Sequence, residues 1–210
     1  MLKLRNCVQS GLMYNRNYMN LGKKAWENPS QIAGYNECLR AAQSMTWQDC
    51  LNCTGLNPDD CFKEELSTHV VYEMNKLRIM LILFKGGQNM PIHDHEGMVV
   101  FCKVLKGKIG VDYWDYENLD HVKKHIASQD YENIKHNGVP VQFKGSYDMQ
   151  EGELDIVTPF KNNLHRFRPE KNSVVLDLII NDYDDARPHK GYIKKADDLL
   201  QLNSVNRVCI

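Results

Sequence analysis

The chain has 210 residues, of which 42% are hydrophobic, and its 26 Lys and Arg against 27 Asp and Glu give a net charge of -1. These values are typical of one globular domain that forms a core without disulfides or metals to hold it together. They disfavour binding to nucleic acid or anionic membranes, and no apolar run approaches the roughly 20 residues of a membrane-spanning helix.

Helix signals occupy residues 1–64, which we interpret as several short helices packed on the rest of the molecule. Pro29 stands where a helix begins, and Thr46 and Asp49 have the spacing of a helix N-cap.

The seven cysteines are an odd number scattered along the chain, which favours free thiols in a reducing compartment, the cytoplasm or possibly the nucleus. Cys50 and Cys53 form a Cys-x-x-Cys pair, and Cys61 follows eight residues later. The three fit part of a zinc site or a redox pair. Because no fourth ligand stands at zinc-finger spacing, we favour separate thiols on a helix and a loop.

From Ser67 the pattern changes to short apolar segments separated by Gly, Asn and Pro. These segments read THVVYEM, LRIMLILF, MVVFCKVL, KIGVDYW, VQF, LDIVTPF and SVVLDLII. Many short strands without alternating long helices are typical of a barrel or a sandwich. The sequence therefore predicts a mainly β fold in one domain, with a helical segment (1–64), a barrel (65–193) and a C-terminal tail (194–210).

A polar stretch of mixed charge at residues 115–137 separates two of the predicted strands. His121 and His125 have the i, i+4 spacing of a helical metal pair, and His136 lies nearby. Because nothing in the stretch completes a third ligand, we interpret it as a solvated surface excursion. For residues 186–210 we expect a return to helix or coil.

The segment most informative about chemistry is KGGQNMPIHDHEGMVVFCKVLKG, residues 85–107. In a strand, residues two apart share a face, so His93 and His95 point to one side and Asp94 to the other. Gly87 and Gly107 supply turns on both sides. Two imidazoles inside a small barrel need a partner, because buried unpaired polar groups are costly. A bound metal provides that partner, and a hydrogen-bonded pair of core histidines is the alternative.

A third ligand is expected from another strand that lines the same interior. His165 follows a strand and a turn, whereas His69 lies at the very start of the predicted barrel and His189 follows its last strand. Three neutral imidazoles leave a metal with its positive charge and with open positions for substrate. The histidines therefore predict a catalytic rather than a structural metal site.

The same residues resemble a known family. Gly87, five residues, His-Asp-His and then Gly107 are similar to the first cupin motif. PIHDHEGMVVFCKVLKG is similar to the thiol dioxygenases of the cysteamine dioxygenase and plant cysteine oxidase branch. Val100 stands where most cupins have a Glu ligand, and thiol dioxygenases also lack that carboxylate.

The second motif of the family matches as well, and the resemblance covers about residues 70–193. NLHRF places His165 as the third ligand, and VVLDLI then places Asp177 twelve residues later, followed by Tyr183. The resemblance implies a cupin-type double-stranded β-helix, or jelly-roll, barrel with Fe(II) bound by His93, His95 and His165.

The implied function is that of a non-haem Fe(II) thiol dioxygenase, which adds both atoms of O2 to a thiol and gives a sulfinate. The leading interpretation is a monomer that acts on the N-terminal cysteine of proteins or peptides and thereby senses oxygen. The alternatives are a dioxygenase of cysteamine or another small aminothiol, and a cupin that binds metal without turnover.

Asp177 and Tyr183 are the candidate catalytic residues. Asp177 lies in an apolar run, where an ionised carboxylate must be paired. We interpret it as a group that orients His165 or the substrate amine, with a solvent-facing strand residue as the alternative. Tyr183 either walls the pocket, donates a hydrogen bond to bound oxygen, or is an ordinary packed tyrosine.

The chain also departs from its branch and from the free-cysteine dioxygenases. Glu96 replaces the Pro that usually follows His-Asp-His in the branch, and residues 181–183 read Asn-Asp-Tyr instead of Pro-Pro-Tyr. Free-cysteine dioxygenases carry an Arg for the substrate carboxylate at the spacing where this chain has Ser67, and a His where it has Asp177. A pocket without that Arg favours a thiol next to an amine but without a free carboxylate.

Overall fold

The computed structural model describes residues 2–117, 138–184, 189–196 and 199–206. Its helices are α1 (Leu2–Leu21), α2 (Tyr35–Ser44) and α3 (Trp47–Thr54), with 3-10 turns at Gly22–Trp26 and Pro29–Gln31. Its strands are β1 (Leu66–Met74), β2 (Leu77–Phe84), β3 (Ile92–His93), β4 (Val99–Lys106), β5 (Lys108–Tyr116), β6 (Val139–Gln150), β7 (Leu154–Val157), β8 (Leu164–Pro169), β9 (Ser173–Ile180), β10 (His189–Ala196) and β11 (Leu199–Asn206). The predicted mainly β fold with N-terminal helices is confirmed.

The strands form a five-stranded sheet and a closed six-stranded barrel. The sheet has the order β1-β2-β9-β4-β7, and the barrel has the order β10-β11-β6-β5-β8-β3, with antiparallel pairing throughout. One buried apolar cluster joins the two, since it contains Ile82 of the sheet together with Val111 and Phe167 of the barrel. This shared interior is the space into which the candidate ligands were expected to point.

The central strands of the sheet are buried on both faces, which explains why they read as continuous apolar runs. Alternate residues of β9, such as Leu176 and Leu178, pack against the helices. The other alternate residues of β9, such as Val175 and Ile179, face the shared interior. A strand covered on both faces needs apolar side chains on both.

The helix signals in residues 1–64 are confirmed. Thr46 caps α3 in a capping box, in which its side chain accepts from the backbone N–H of Asp49 and the Asp49 carboxylate accepts from the backbone N–H of Thr46. The two turn glycines of the histidine segment also behave as expected, with φ of 86° at Gly87 and 85° at Gly107. Such angles are readily adopted by glycine alone. Among the described residues, no helix combines the length and the apolar character that crossing a membrane requires.

The expected return to helix or coil after residue 186 is wrong. Residues 189–196 and 199–206 are the paired strands β10 and β11, and they close the barrel against β3 and β6. His121, His125 and His136 of the polar excursion lie outside the described residues. The division into segments 1–64, 65–193 and 194–210 stays a prediction.

Candidate metal centre

The structure brings His93, His95 and His165 together inside the barrel. His93 ends β3 and lies opposite His165 of β8, while His95 follows two residues after His93. All three side chains are buried, and one ligand nitrogen from each lies within 4.8 Å of the others. Within the described part of the chain, this is the one group of three ligating side chains that meets this distance.

Each imidazole is oriented by an oxygen at Nδ1. His93 Nδ1 lies 3.0 Å from the carbonyl oxygen of Pro91, and His165 Nδ1 lies 3.4 Å from that of Asn162. Because a carbonyl can only accept, Nδ1 carries the proton in both rings. Tyr183 donates its hydroxyl proton to the Asp94 carbonyl at 2.6 Å, so its oxygen accepts from His95 Nδ1 at 3.0 Å. These bonds leave Nε2 unprotonated and able to bind a cation.

The electrostatics of the cluster keep the imidazoles neutral. Burial, followed by the neighbouring imidazoles, lowers the pKa of His93 and His95 well below the usual value. Burial also lowers the pKa of His165 to about 4. Nε2 of His95 and Nε2 of His165 are buried without a hydrogen-bond partner. Such orphaned atoms are costly, so the donor set fits a divalent metal ion that prefers imidazole nitrogen.

A buried ionic network supports the ligand segment from the side opposite the histidines. The Asp94 carboxylate accepts from the hydroxyls of Tyr116 at 3.0 Å and Tyr192 at 2.9 Å. Lys190 lies 3.1 Å from that carboxylate and 2.8 Å from the carboxylate of Glu96. Asp94 therefore points away from the histidines as the alternation predicts, and Glu96 is a partner of Lys190.

Asp177 faces the same interior as the histidines. It lies on β9 between β2 and β4, is only 3% exposed, and accepts a hydrogen bond from the thiol of Cys102. The solvent-facing alternative is therefore wrong. Its Oδ1 has no hydrogen-bond partner, and burial raises the pKa of its carboxyl to about 7. The partner of His165 Nδ1 is the Asn162 carbonyl, so Asp177 does not orient that ring through Nδ1.

His189 is a neighbour of the centre that the sequence does not predict. It begins β10, and its ring stacks on that of His93 with the centroids 5.2 Å apart. Its ring also lies 5.4 Å from that of Tyr183. The sequence does not identify His189 as a neighbour of the site, because the last predicted strand of the barrel ends before this residue, whereas the structure has a strand at His189–Ala196.

Within the described ranges, the cysteines form no cluster of metal ligands comparable to the three histidines. Cys50 and Cys53 lie on α3, Cys61 lies in the turns that follow, and all three are free thiols. The predicted placement of these thiols on a helix and a loop is confirmed.

Comparison with known proteins places this site in a family. A model of the PCO_ADO family matches residues 39–199, which include every candidate ligand. A probable 2-aminoethanethiol dioxygenase of Dictyostelium discoideum is 30% identical over 114 residues, 53% of this chain and 47% of that protein. The 2-aminoethanethiol dioxygenase of Homo sapiens is 27% identical over 126 residues, 54% and 46% respectively. The chain thus spans about half the length of the curated relatives it matches.

Solved structures that resemble the chain include two bacterial proteins. A cupin superfamily protein from Desulfitobacterium hafniense aligns with a TM-score of 0.39 and 10% identity, over 57% of this chain and 81% of that one. A Klebsiella pneumoniae protein with a double-stranded β-helix domain aligns with a TM-score of 0.44 and 12% identity, over 66% and 96%.

Proposed function

Because the chain belongs to the PCO_ADO family, within the cupin superfamily, we propose that it is an Fe(II)-dependent thiol dioxygenase. It adds both atoms of O2 to a thiol, and the preferred thiol is the N-terminal cysteine of a protein or peptide. The reaction is balanced without another reductant, since the four electrons lost by the sulfur reduce O2 completely. Because this modification of the cysteine requires O2, we propose that its extent reports the oxygen level and that the enzyme acts as an oxygen sensor.

One observation carries the proposal, namely three buried neutral imidazoles with two orphaned Nε2 atoms in a chain of this family. Fe(II) bound there would supply open coordination positions and the activation of dioxygen. The protein residues exclude water and fix the ligands, since the Pro91 and Asn162 carbonyls and the Tyr183 hydroxyl each hold one imidazole. The orphaned Oδ1 of Asp177 is suited to accept a hydrogen bond from the amine beside the reacting thiol.

The charges around the interior support a substrate without a free carboxylate. Arg78 forms a buried ion pair with Asp182, in which Nε lies 2.8 Å from the carboxylate, so it is not available to a substrate. Arg166 and Arg168 flank Phe167 on β8, so their side chains lie on the face of the strand opposite to that inward-facing ring. Both bind Asp112, at 2.7 Å and 3.0 Å. A substrate carboxylate left unpaired in this interior would cost several kcal/mol.

Cysteamine is the second candidate substrate, and one observation favours it. Both curated relatives are named for 2-aminoethanethiol, which is cysteamine. Cysteamine lacks the carboxylate, and in a peptide the carboxylate of the first residue is an amide, so both substrates avoid the unpaired charge.

The described cysteines are free, in keeping with a reducing compartment, and we propose a monomer in the cytoplasm or nucleus.

The substrate proposal is tested by oxygen consumption with Fe(II)-loaded protein and four thiols. A peptide that starts with cysteine should react fastest, followed by cysteamine. Free cysteine should be slow because of its carboxylate, and the same peptide with an acetylated N-terminus should be inert because its amine is blocked.

Each other order of rates has its own meaning. Faster turnover of cysteamine would establish the second candidate, and rapid oxidation of free cysteine would show that a cation reaches the pocket. Tight metal binding without turnover of any of the four thiols would identify a cupin that binds metal without catalysis.

Replacement of Asp177 by Asn should retain most of the iron and remove most of the turnover. The side chain does not reach a ligand histidine through a hydrogen bond, so the metal site persists. An amide cannot match a carboxylate as an acceptor for the substrate amine. Metal analysis measures the iron content and initial rates measure the turnover. Unchanged turnover would show that the role of Asp177 is purely structural.

The same variant gives a pH test of the buried carboxyl. Its pKa is raised by burial from 3.8 to about 7, so the folded protein holds a proton that the unfolded chain loses. The contribution of this carboxyl to the free energy of unfolding is therefore greatest below about pH 4, where both states hold the proton. It falls as the pH rises to about 7, because the unfolded chain releases the proton first. The amide introduced by Asp177→Asn does not titrate. The stability of this variant relative to the original protein should therefore rise by a few kcal/mol across this window, and a constant difference would contradict the assignment.

A further inference from the structure

We propose that helix α1 is a positioning element of the metal centre, because Tyr18 and Asn15 hold the two segments that orient the ring of His95. The helix lies outside the barrel, and it precedes residues 39–199, over which the family model matches. The inference rests on the metal site of the proposed function, but it concerns residues to which that function assigns no role.

The first segment is the turn that leaves His95. The backbone N–H of Met98 bonds to the His95 carbonyl at 3.2 Å and closes this turn around Gly97. The Gly97 carbonyl accepts from the hydroxyl of Tyr18 at 3.1 Å and from the side-chain amide of Asn181 at 2.9 Å. Tyr18 is only 1% exposed, so its hydroxyl has little access to water as an alternative partner. The hydroxyl of Tyr18 thus connects α1 to the exit of the ligand loop and, together with the Asn181 amide, holds it in place.

The second segment leads to Tyr183. Asn15 is 2% exposed, and its Oδ1 accepts from the backbone N–H of Asn181 at 2.8 Å. Its Nδ2 donates to the carbonyl of Asn75 at 2.7 Å, which fixes the side chain against the turn between β1 and β2. Asn181 has a φ of 60°, an angle that its surroundings must hold in place. Asn15 thereby anchors the backbone two residues before Tyr183.

The two contacts converge on one imidazole. The hydroxyl of Tyr183 accepts from His95 Nδ1 and donates to the Asp94 carbonyl, so it connects the ring to its own loop. A shift of the Gly97 turn moves the loop, and a shift of Asn181 moves the hydroxyl. Either shift turns Nε2 of His95 away from the point that it shares with the other two ligands. Groups that bond directly to a ligand ring, as Tyr183 does here, typically contribute about 10–100-fold to metal affinity or activity, so residues that act through such a group should lie at the lower end of that range.

The test compares two tyrosines of the same helix. Tyr18→Phe removes the bond to Gly97, whereas Tyr14→Phe removes an equally buried hydroxyl bond, 2.9 Å to the Pro29 carbonyl, that does not reach the centre. Co(II) is the probe, because its visible absorption reports ligand geometry independently of turnover. Tyr18→Phe should bind Co(II) about tenfold more weakly and with altered absorption bands, the lower end of the usual range for such partners. Tyr14→Phe should change affinity less than about twofold.

A double-mutant cycle with Tyr183→Phe adds a second readout. If Tyr18 acts through the ring of His95, its effect on Co(II) affinity should shrink once Tyr183 is already Phe, because interacting residues are not additive. Tyr14→Phe should remain additive with Tyr183→Phe. Should Tyr18→Phe not fold, Asn15→Ala tests the same helix through its second contact, with the same expected loss of affinity.

Equal Co(II) affinity and spectra in Tyr18→Phe and Tyr14→Phe would overturn the inference and leave the proposed function intact. Co(II) binding by the original protein without turnover of any thiol would overturn the proposed function, while the comparison of the two tyrosines would still decide the inference. Failure of the original protein to bind Co(II) would overturn both.

Discussion

Replacement of His165 by alanine should abolish stoichiometric metal binding and, with it, thiol oxidation. The change removes one of three neutral imidazoles whose ligand atoms lie within 4.8 Å of one another. Loss of residues that merely orient a ligand already costs about 10–100-fold in metal affinity, so loss of a ligand itself should exceed about 100-fold. His93→Ala and His95→Ala should behave alike. Metal analysis of protein purified without oxygen gives the stoichiometry, and initial rates give the turnover.

His189→Ala is the matched control for these variants. Its ring stacks on that of His93 at 5.2 Å, yet its nitrogens do not belong to the cluster of ligand atoms. It should therefore retain about one metal ion per chain, as a three-imidazole site requires. Full metal content in His165→Ala, or the same loss in His189→Ala, would show that the ligand set is wrong.

Replacement of Lys190 by methionine should destabilise the protein strongly. The ammonium is 2% exposed and lies between the carboxylates of Asp94 and Glu96, which are also buried. Burial opposes the charge of Lys190, but the two carboxylates outweigh it and raise its pKa. Removing one partner of such a network leaves buried charge without compensation, at a cost of about 3–5 kcal/mol. Chemical denaturation measures this loss.

Lys108→Met provides the comparison, because Lys108 pairs with Asp148 at 2.6 Å on the surface, where the two side chains are 38% and 48% exposed. Such an exposed pair contributes little to stability, because water and salt screen its charges. Removing all three buried charges, with Asp94→Asn and Glu96→Gln added to Lys190→Met, should recover much of the stability. If Lys190→Met unfolds no more easily than Lys108→Met, the buried network does not exist as described.

The sequence predicted the parts of the site that local patterns determine. His93 and His95 share a face because side chains alternate along an extended chain, and Gly107 marks the turn that reverses β4 into β5. Strands covered on both faces are recognisable as apolar runs. The cap at Thr46 is equally local, since it involves only four consecutive residues.

The parts of the site that the sequence does not predict depend on contacts between residues far apart in the chain. Lys190 is buried through ion pairs, so hydropathy marks its segment as surface, and the sequence predicts helix or coil where the structure has β10. His189 begins that strand, so the sequence does not place it at the metal centre either. The bond from Tyr18 to Gly97 joins residues 79 apart, and that from Asn15 to Asn181 joins residues 166 apart. No local pattern encodes contacts at such separation.

Isotopic labelling of the product tests the central claim most directly. Fe(II)-loaded protein is incubated under ¹⁸O-labelled dioxygen with a peptide that starts with cysteine, and mass spectrometry locates the label. A dioxygenase should give a sulfinate with two labelled oxygens on the N-terminal cysteine, and the His165→Ala variant should give none. A product that carries no label, a single labelled oxygen, or only a disulfide would contradict the assignment of this chain as a thiol dioxygenase.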